Sequence, residues 1–124
     1  DKGRVVLPAR YRAVLQASGV VVTPEDDGFL GVWLPEDFLD RAAAMKERER
    51  NGTLEDRRRT RAFFAYTVET TVDGQGRIML PSHLREFAGI ERDVMINGDF
   101  DHLEIWDLAR WRAEHLPGPA GPAR

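Results

Sequence analysis

"DGQGRIMLPSHLRE" spans Asp73–Glu86, and "DKGRVVLPARYRA" spans Asp1–Ala13. The same glycine–arginine turn, apolar triplet and Leu-Pro step therefore occur twice in a chain of 124 residues. A shift of 73 positions aligns Gly3–Phe38 with Gly76–Trp111 without a gap and makes nine pairs identical: Gly3/Gly76, Arg4/Arg77, Leu7/Leu80, Pro8/Pro81, Arg12/Arg85, Val21/Val94, Asp26/Asp99, Leu30/Leu103 and Trp33/Trp106. Two copies are too few for a solenoid, which needs at least three stacked units. They suggest a homodimer fused into one chain, its halves related by a pseudo-two-fold axis.

Each copy reads the same way locally. Phe63–Val72, rich in aromatic and β-branched residues, predicts a strand, and "DGQGR" a turn. Arg77–Leu80 predicts a short apolar strand. Pro81 then opens a helix that stops at Gly89, as Pro8 and Gly19 bracket one in the first copy. On those helices Tyr11, Val14 and Leu15, matching Leu84, Phe87 and Ala88, predict a buried face. A hairpin follows in each: Val20–Thr23 and Phe29–Trp33 flank "PEDDG", and Val94–Ile96 and Leu103–Trp106 flank "NGDFDH". A closing helix begins near Glu36 in one copy and Leu108 in the other. Glu36–Asn51 and Leu54–Ala62 read as helices, with Thr53 and Asp56 placed as a capping box. The expected organisation is a first half at 1–38, connecting helices at 39–62, a second half at 63–116 and a disordered tail at 117–124. A strand matching the one before the second turn is expected to precede Asp1.

Composition narrows the function classes. Apolar residues make up 42% and charged residues 31%, ordinary for a globular domain with a core of its own. No apolar run approaches the ~20 residues of a membrane span, and no secretory leader is visible. With no cysteine, disulfide and thiol chemistry drop out, and a cytoplasmic setting is expected. The formal charge of −3 argues against a uniformly basic nucleic-acid binder, so an anionic partner must meet a local positive patch.

No catalytic constellation stands out, and no cofactor or small-molecule substrate is expected. His83, His102 and His115 have no metal-ligand spacing, and neither Ser18 nor Ser82 lies in a nucleophile elbow. "EDDG" lacks the alternating acidic ladder of a calcium loop. "DGQGR" is followed by a strand where a nucleotide fingerprint demands a helix. The acidic groups near the hairpin tips read as solvated turn residues. Trp33, Trp106 and Trp111 read as packing residues, and "DRRRTR" at Asp56–Arg61 as a solvated charged helix face.

The arginines remain. Gly3 and Gly76 allow positive φ and close approach of the backbone to another surface. Arg4 and Arg77 follow at once, each with a planar fork that fits phosphate oxygens or the O6/N7 edge of guanine. Lys2, Arg4, Arg10 and Arg12 against Asp1 give a local charge of +3 within twelve residues. The competing reading is that each arginine bonds its own loop, Asp73 closing onto Arg77, although a fold needs only turn formers there. Arg12 and Arg85, in mid-helix, read as structural ion-pair partners.

The doubled pattern "DKGRVVLPARYR … DGQGRIMLPSHLREFAGI" resembles the MraZ transcriptional regulators of the SpoVT/AbrB superfamily, over nearly the whole chain. The resemblance implies an α+β fold: an AbrB-like swapped-hairpin β-barrel built from two pseudo-two-fold related β-α-β-β halves with flanking helices. It implies a nucleoid-associated homo-oligomeric ring binding double-stranded DNA at short direct repeats upstream of the division and cell-wall operon. By similarity Asp73 and Arg77 fall on the second D-x-x-x-R signature and Arg4 on the arginine of the first, whose aspartate would precede Asp1. Lys2, Gly3, Arg4, Asp73, Gln75, Gly76 and Arg77 are the expected DNA-facing residues.

Overall fold

The computed structural model describes residues 3–115; Lys2 and the tail at 117–124 lie outside them. Two antiparallel sheets and five helices make up this span. The smaller sheet pairs β1 (Arg4–Val6) with β5 (Arg77–Met79). The larger has the order β4-β2-β3-β7-β6, from β2 (Val20–Pro24), β3 (Leu30–Trp33), β4 (Val68–Thr70), β6 (Val94–Asp99) and β7 (His102–Asp107). The helices are α1 (Ala9–Ser18), α2 (Pro35–Glu49), α3 (Leu54–Tyr66), α4 (Ser82–Ala88) and α5 (Leu108–His115). The fold is thus α+β, as expected, but among the described residues both sheets are open and no barrel closes.

Strand register makes the duplication visible. In the ribbon Arg4 faces Met79, Val5 faces Ile78 and Val6 faces Arg77. Under the shift of 73 these pairs interchange, so a pseudo-two-fold axis passes between Val5 and Ile78. In the larger sheet Leu30 faces Ile105, Gly31 faces Glu104 and Val32 faces Leu103, which centres the interchange on Gly31 and Glu104. The copies do not sit side by side as separate units: each sheet is sewn together from both.

Side-chain alternation follows. Val5 and Ile78 point inward with Leu7 and Leu80, while Arg4, Val6 and Met79 face out. The inward set joins Leu15, Leu84, Ala88, Val20, Val22, Leu30, Val32, Leu103 and Ile105 in one core. β2 is buried along its whole length, which explains its unbroken "VVVT". The helices stop as read, at Gly19 (φ 76°) and Gly89 (φ 66°).

Three expectations are corrected. Phe63–Tyr66 is not strand but the last turn of α3, and only Val68–Thr70 pairs. Phe63 stacks on Phe38 of α2, Phe64 meets both edge-on, and tertiary packing overrides local strand preference. The capping box that launches this helix is present, Thr53 Oγ1 accepting from Asp56 N–H and Asp56 Oδ2 from Thr53 N–H. Second, Val14 and Phe87 are exposed; only Leu15, Leu84 and Ala88 of the expected helix face are buried, with Tyr11 half-buried. Third, β6 runs on to Asp99, so "NGDFDH" contributes to both strands and the turn tightens to Phe100 and Asp101. Phe100 takes φ 61° there and is fully exposed.

Candidate functional site

The ribbon presents one outward face of four side chains. Arg4 lies across from Met79 and Arg77 across from Val6, so the two arginines occupy a diagonal, about 7–8 Å apart along the backbone. Arg4 is exposed and makes no ion pair among the described residues. Arg77 is half-exposed, its Nε donating to Asp73 Oδ2 at 2.9 Å. That bond uses one of five donors, and the two terminal nitrogens make no bond among the described residues.

Asp73 organises the second turn. Its Oδ1 accepts from the backbone N–H of both Gln75 and Arg77 at 2.9 Å. The Arg77 amide bond, together with the Arg77 side chain, the Gln75 amide and the nearby positive charge, holds the Asp73 carboxyl below its ordinary range. Gln16 on α1 reaches across from the other half, donating Nε2–H to the Asp73 carbonyl at 2.7 Å. The loop is thereby fixed, and Gln75 stands exposed at its tip. Here the bond of Asp73 to its own loop and the presentation of Arg77 coexist.

Sequence reasoning missed why glycine precedes each arginine. Gly3 and Gly76 take φ 86° and 79°. Arg12 donates Nε–H to the Leu7 carbonyl at 3.0 Å, and Arg85 does the same to Leu80 at 3.0 Å. In those positions Arg12 lies against Gly76 and Arg85 against Gly3. Backbone bonds complete the interlock: Leu7 N–H to the Gly76 carbonyl at 2.9 Å and Leu80 N–H to Gly3 at 2.7 Å. Arg12 and Arg85 are structural, as read, but their partners are carbonyls rather than carboxylates. Both are identical pairs of the repeat, but nothing in the sequence ties one half's arginine to the other half's glycine. The surface that approaches the two glycines is the protein's own arginine from the opposite half.

Other expected residues find plainer roles. Trp33 and Trp106 are buried, donating Nε1–H to Thr23 Oγ1 and Glu104 Oε1, both at 2.9 Å. Glu25, expected as a solvated turn carboxylate, is instead buried, accepting from Thr23 and pairing with Arg41 of α2 at 2.7 Å. Arg57–Arg59 and Arg61 lie exposed on α3. Arg10, also exposed, lies over the ring of Tyr11 at 5.0 Å. His102 sits beside Asp99 and Glu104, a grouping that spacing along the chain did not suggest. Burial, joined by the Asp99 carboxylate, pushes the Glu104 carboxyl above its ordinary range. Among the described residues no helix is long and apolar enough to cross a membrane.

The chain is similar to known proteins along most of its length. A family model described as "MraZ protein, putative antitoxin-like" matches residues 63–114. Three proteins each named "Transcriptional regulator MraZ" are similar over nearly the whole chain. That of Salinispora tropica is 36% identical, covering 91% of this chain and 78% of its own length. That of Nocardioides sp. is 40% identical (90% and 76%), and that of Nocardia farcinica 42% (93% and 81%). The chain belongs to the MraZ family. Within this MraZ-family chain the family model covers the second half, whereas the relatives extend over both. The turn that carries Asp73 and Arg77 lies inside both matched spans.

Proposed function

We propose that this chain is a sequence-specific, double-stranded DNA-binding transcriptional regulator without catalytic activity. The observation that carries the reading is the ribbon: two arginines on one outward face of a two-stranded sheet, joined by a two-fold-like register. A two-stranded β-ribbon fits the major groove, about 12 Å wide, where an arginine fork reads guanine O6/N7 or clamps phosphate. Arg4 and Arg77 make those contacts, with Lys2 and Gln75 beside them. Gly3 and Gly76 let the turns fold, and Asp73 aims Arg77. The relatives' shared name, transcriptional regulator, supports the same conclusion.

The assembly in this reading is the one the family resemblance implies, and the charge gives a reason for it. A chain of formal charge −3 that presents one arginine at each of two turns binds DNA weakly alone. A ring-shaped homo-oligomer on short direct repeats, upstream of the division and cell-wall operon, gains avidity of ~10²–10⁴ from linked contacts. Exposed apolar side chains at Val14, Leu39, Phe87 and Phe100 support self-association. In this reading 1–38 and 63–116 act as paired halves of a swapped-hairpin unit, 39–62 connects them, and the protein works on the nucleoid in the cytoplasm.

The test is selection of bound duplexes from a random pool, followed by anisotropy titration on the winner. Enrichment of tandem short repeats is expected, with affinity falling steeply in salt as phosphate contacts release counterions. Arg4→Ala combined with Arg77→Ala should abolish binding while the circular dichroism and oligomer size stay unchanged. Unaltered affinity in that variant, or no enrichment, overturns the proposal and leaves a protein-binding scaffold.

A further inference from the structure

We propose that Asp99, His102 and Glu104 form a binding site for one divalent transition-metal ion of zinc-like chemistry at the tip of the β6–β7 hairpin. Register brings them together: Asp99 lies directly across from His102, and Glu104 follows two residues along the same strand, on the same sheet face. One ligand atom from each lies within 4.8 Å of the others. His102 Nε2 is 3.8 Å from both Asp99 Oδ2 and Glu104 Oε2, too far for a hydrogen bond. Ligand atoms around a tetrahedral ion with bonds of about 2.0–2.1 Å are about 3.3 Å apart, so a contraction of about half an ångström at these pairs seats the ion.

The groups around the cluster aim it. His102 Nδ1–H donates to Asp101 Oδ1 at 2.9 Å, which leaves the Nε2 lone pair turned toward the two carboxylates. That carboxylate–imidazole arrangement orients histidine ligands in metal proteins. The ring stacks on Trp33 at 4.3 Å and its side chain is only 12% exposed. Glu104 Oε1 accepts from Trp106 Nε1–H, and Oε2 is the oxygen that faces His102.

The duplication supplies an independent comparison. His102 corresponds to Phe29, and Phe29 stacks on Trp106 at 5.0 Å as His102 does on Trp33. The fold asks only for a flat ring in this slot. The second half fills it with imidazole and adds Glu104 where the first has Gly31. One nitrogen and two carboxylates suit zinc, cobalt or manganese, whereas calcium and magnesium favour oxygen alone. Exposed Asp99 leaves room for water to complete the shell, and the bound ion ties β6 to β7 beneath Phe100.

The experiment is titration of zinc into the untagged, chelator-stripped full chain, by calorimetry and thermal melting. Expected are one ion per chain, micromolar or tighter, a melting temperature raised by several degrees, and no response to calcium. His102→Phe, which keeps the stacked ring, and Glu104→Gln should each weaken binding at least 100-fold without moving the metal-free melt. Asp101→Asn should weaken it by about 10–100-fold. Should His102→Phe fail to fold, Asp99→Asn at an exposed position supplies the same readout. Absence of saturable one-to-one binding below 100 µM, or unchanged affinity in the ligand variants, overturns the site.

Discussion

Gly76→Ala separates the fold's need for glycine from any need of a ligand. The backbone there has φ 79°, which a side chain disfavours by about 1–2 kcal/mol. The added Cβ would also fall well inside van der Waals distance of Arg12 Nε and Cδ. Arg12 must then move, and its 3.0 Å bond to the Leu7 carbonyl is lost. A hydrogen bond from a charged donor contributes about 1.5–3 kcal/mol. Together the substitution should destabilise by about 2.5–5 kcal/mol, lowering the urea midpoint by about 1–2.5 M for m near 2 kcal/mol/M. Gly74, two residues earlier in the same turn, has open space where a Cβ would stand, with nothing within 4 Å, so Gly74→Ala should be close to neutral. The decisive assay is a double-mutant cycle by urea unfolding. In an Arg12→Ala background the cost of Gly76→Ala should fall to the backbone part, about 1–2 kcal/mol. An equal cost in both backgrounds, or one no larger than that of Gly74→Ala, refutes the interlock.

Further outcomes can be checked independently. Arg41→Met strips the buried Glu25 carboxylate of its partner and should destabilise by about 1–3 kcal/mol in urea melts. Thr53→Ala removes the side-chain acceptor at the start of α3 and should cost about 1 kcal/mol by the same measure. The folded Asp73 carboxyl titrates below its ordinary value of 3.8. Its contribution is therefore complete above that value and disappears as pH falls through the lower folded one. In an NMR pH titration the Gln75 and Arg77 amide resonances should move with a midpoint below the ordinary value of 3.8; movement centred at or above that value contradicts the bonded turn.

The duplication, the helix stops and the strand that carries Arg77 were legible because each rests on local chemistry: prolines at helix starts, glycines at helix ends, alternation in "RVV" and "RIM". Phe63–Tyr66 was not, because its aromatic composition suits a strand until Phe38 of a distant helix packs on it. Val14 and Phe87 misled in the opposite sense; helical spacing shows which residues share a face but not whether anything covers it. Of the candidate site, the two outward arginines could be read from their place in the repeat. The hold of Arg12 and Arg85 on the opposite half could not, since contacts between segments so distant in sequence leave no local trace. The grouping of Asp99, His102 and Glu104 depends on how far β6 extends, which a conventional loop reading of "NGDFDH" conceals.

The ribbon's register has a consequence for polarity. Two identical subunits across an axis present the same view from either end, and a surface docking on them can be reversed without change. Here the axis passes between Val5 and Ile78, but the corners differ, Val6 on one side and Met79 on the other. Because both copies lie in a single chain, each carries its own corner residue, and the platform has a front and a back.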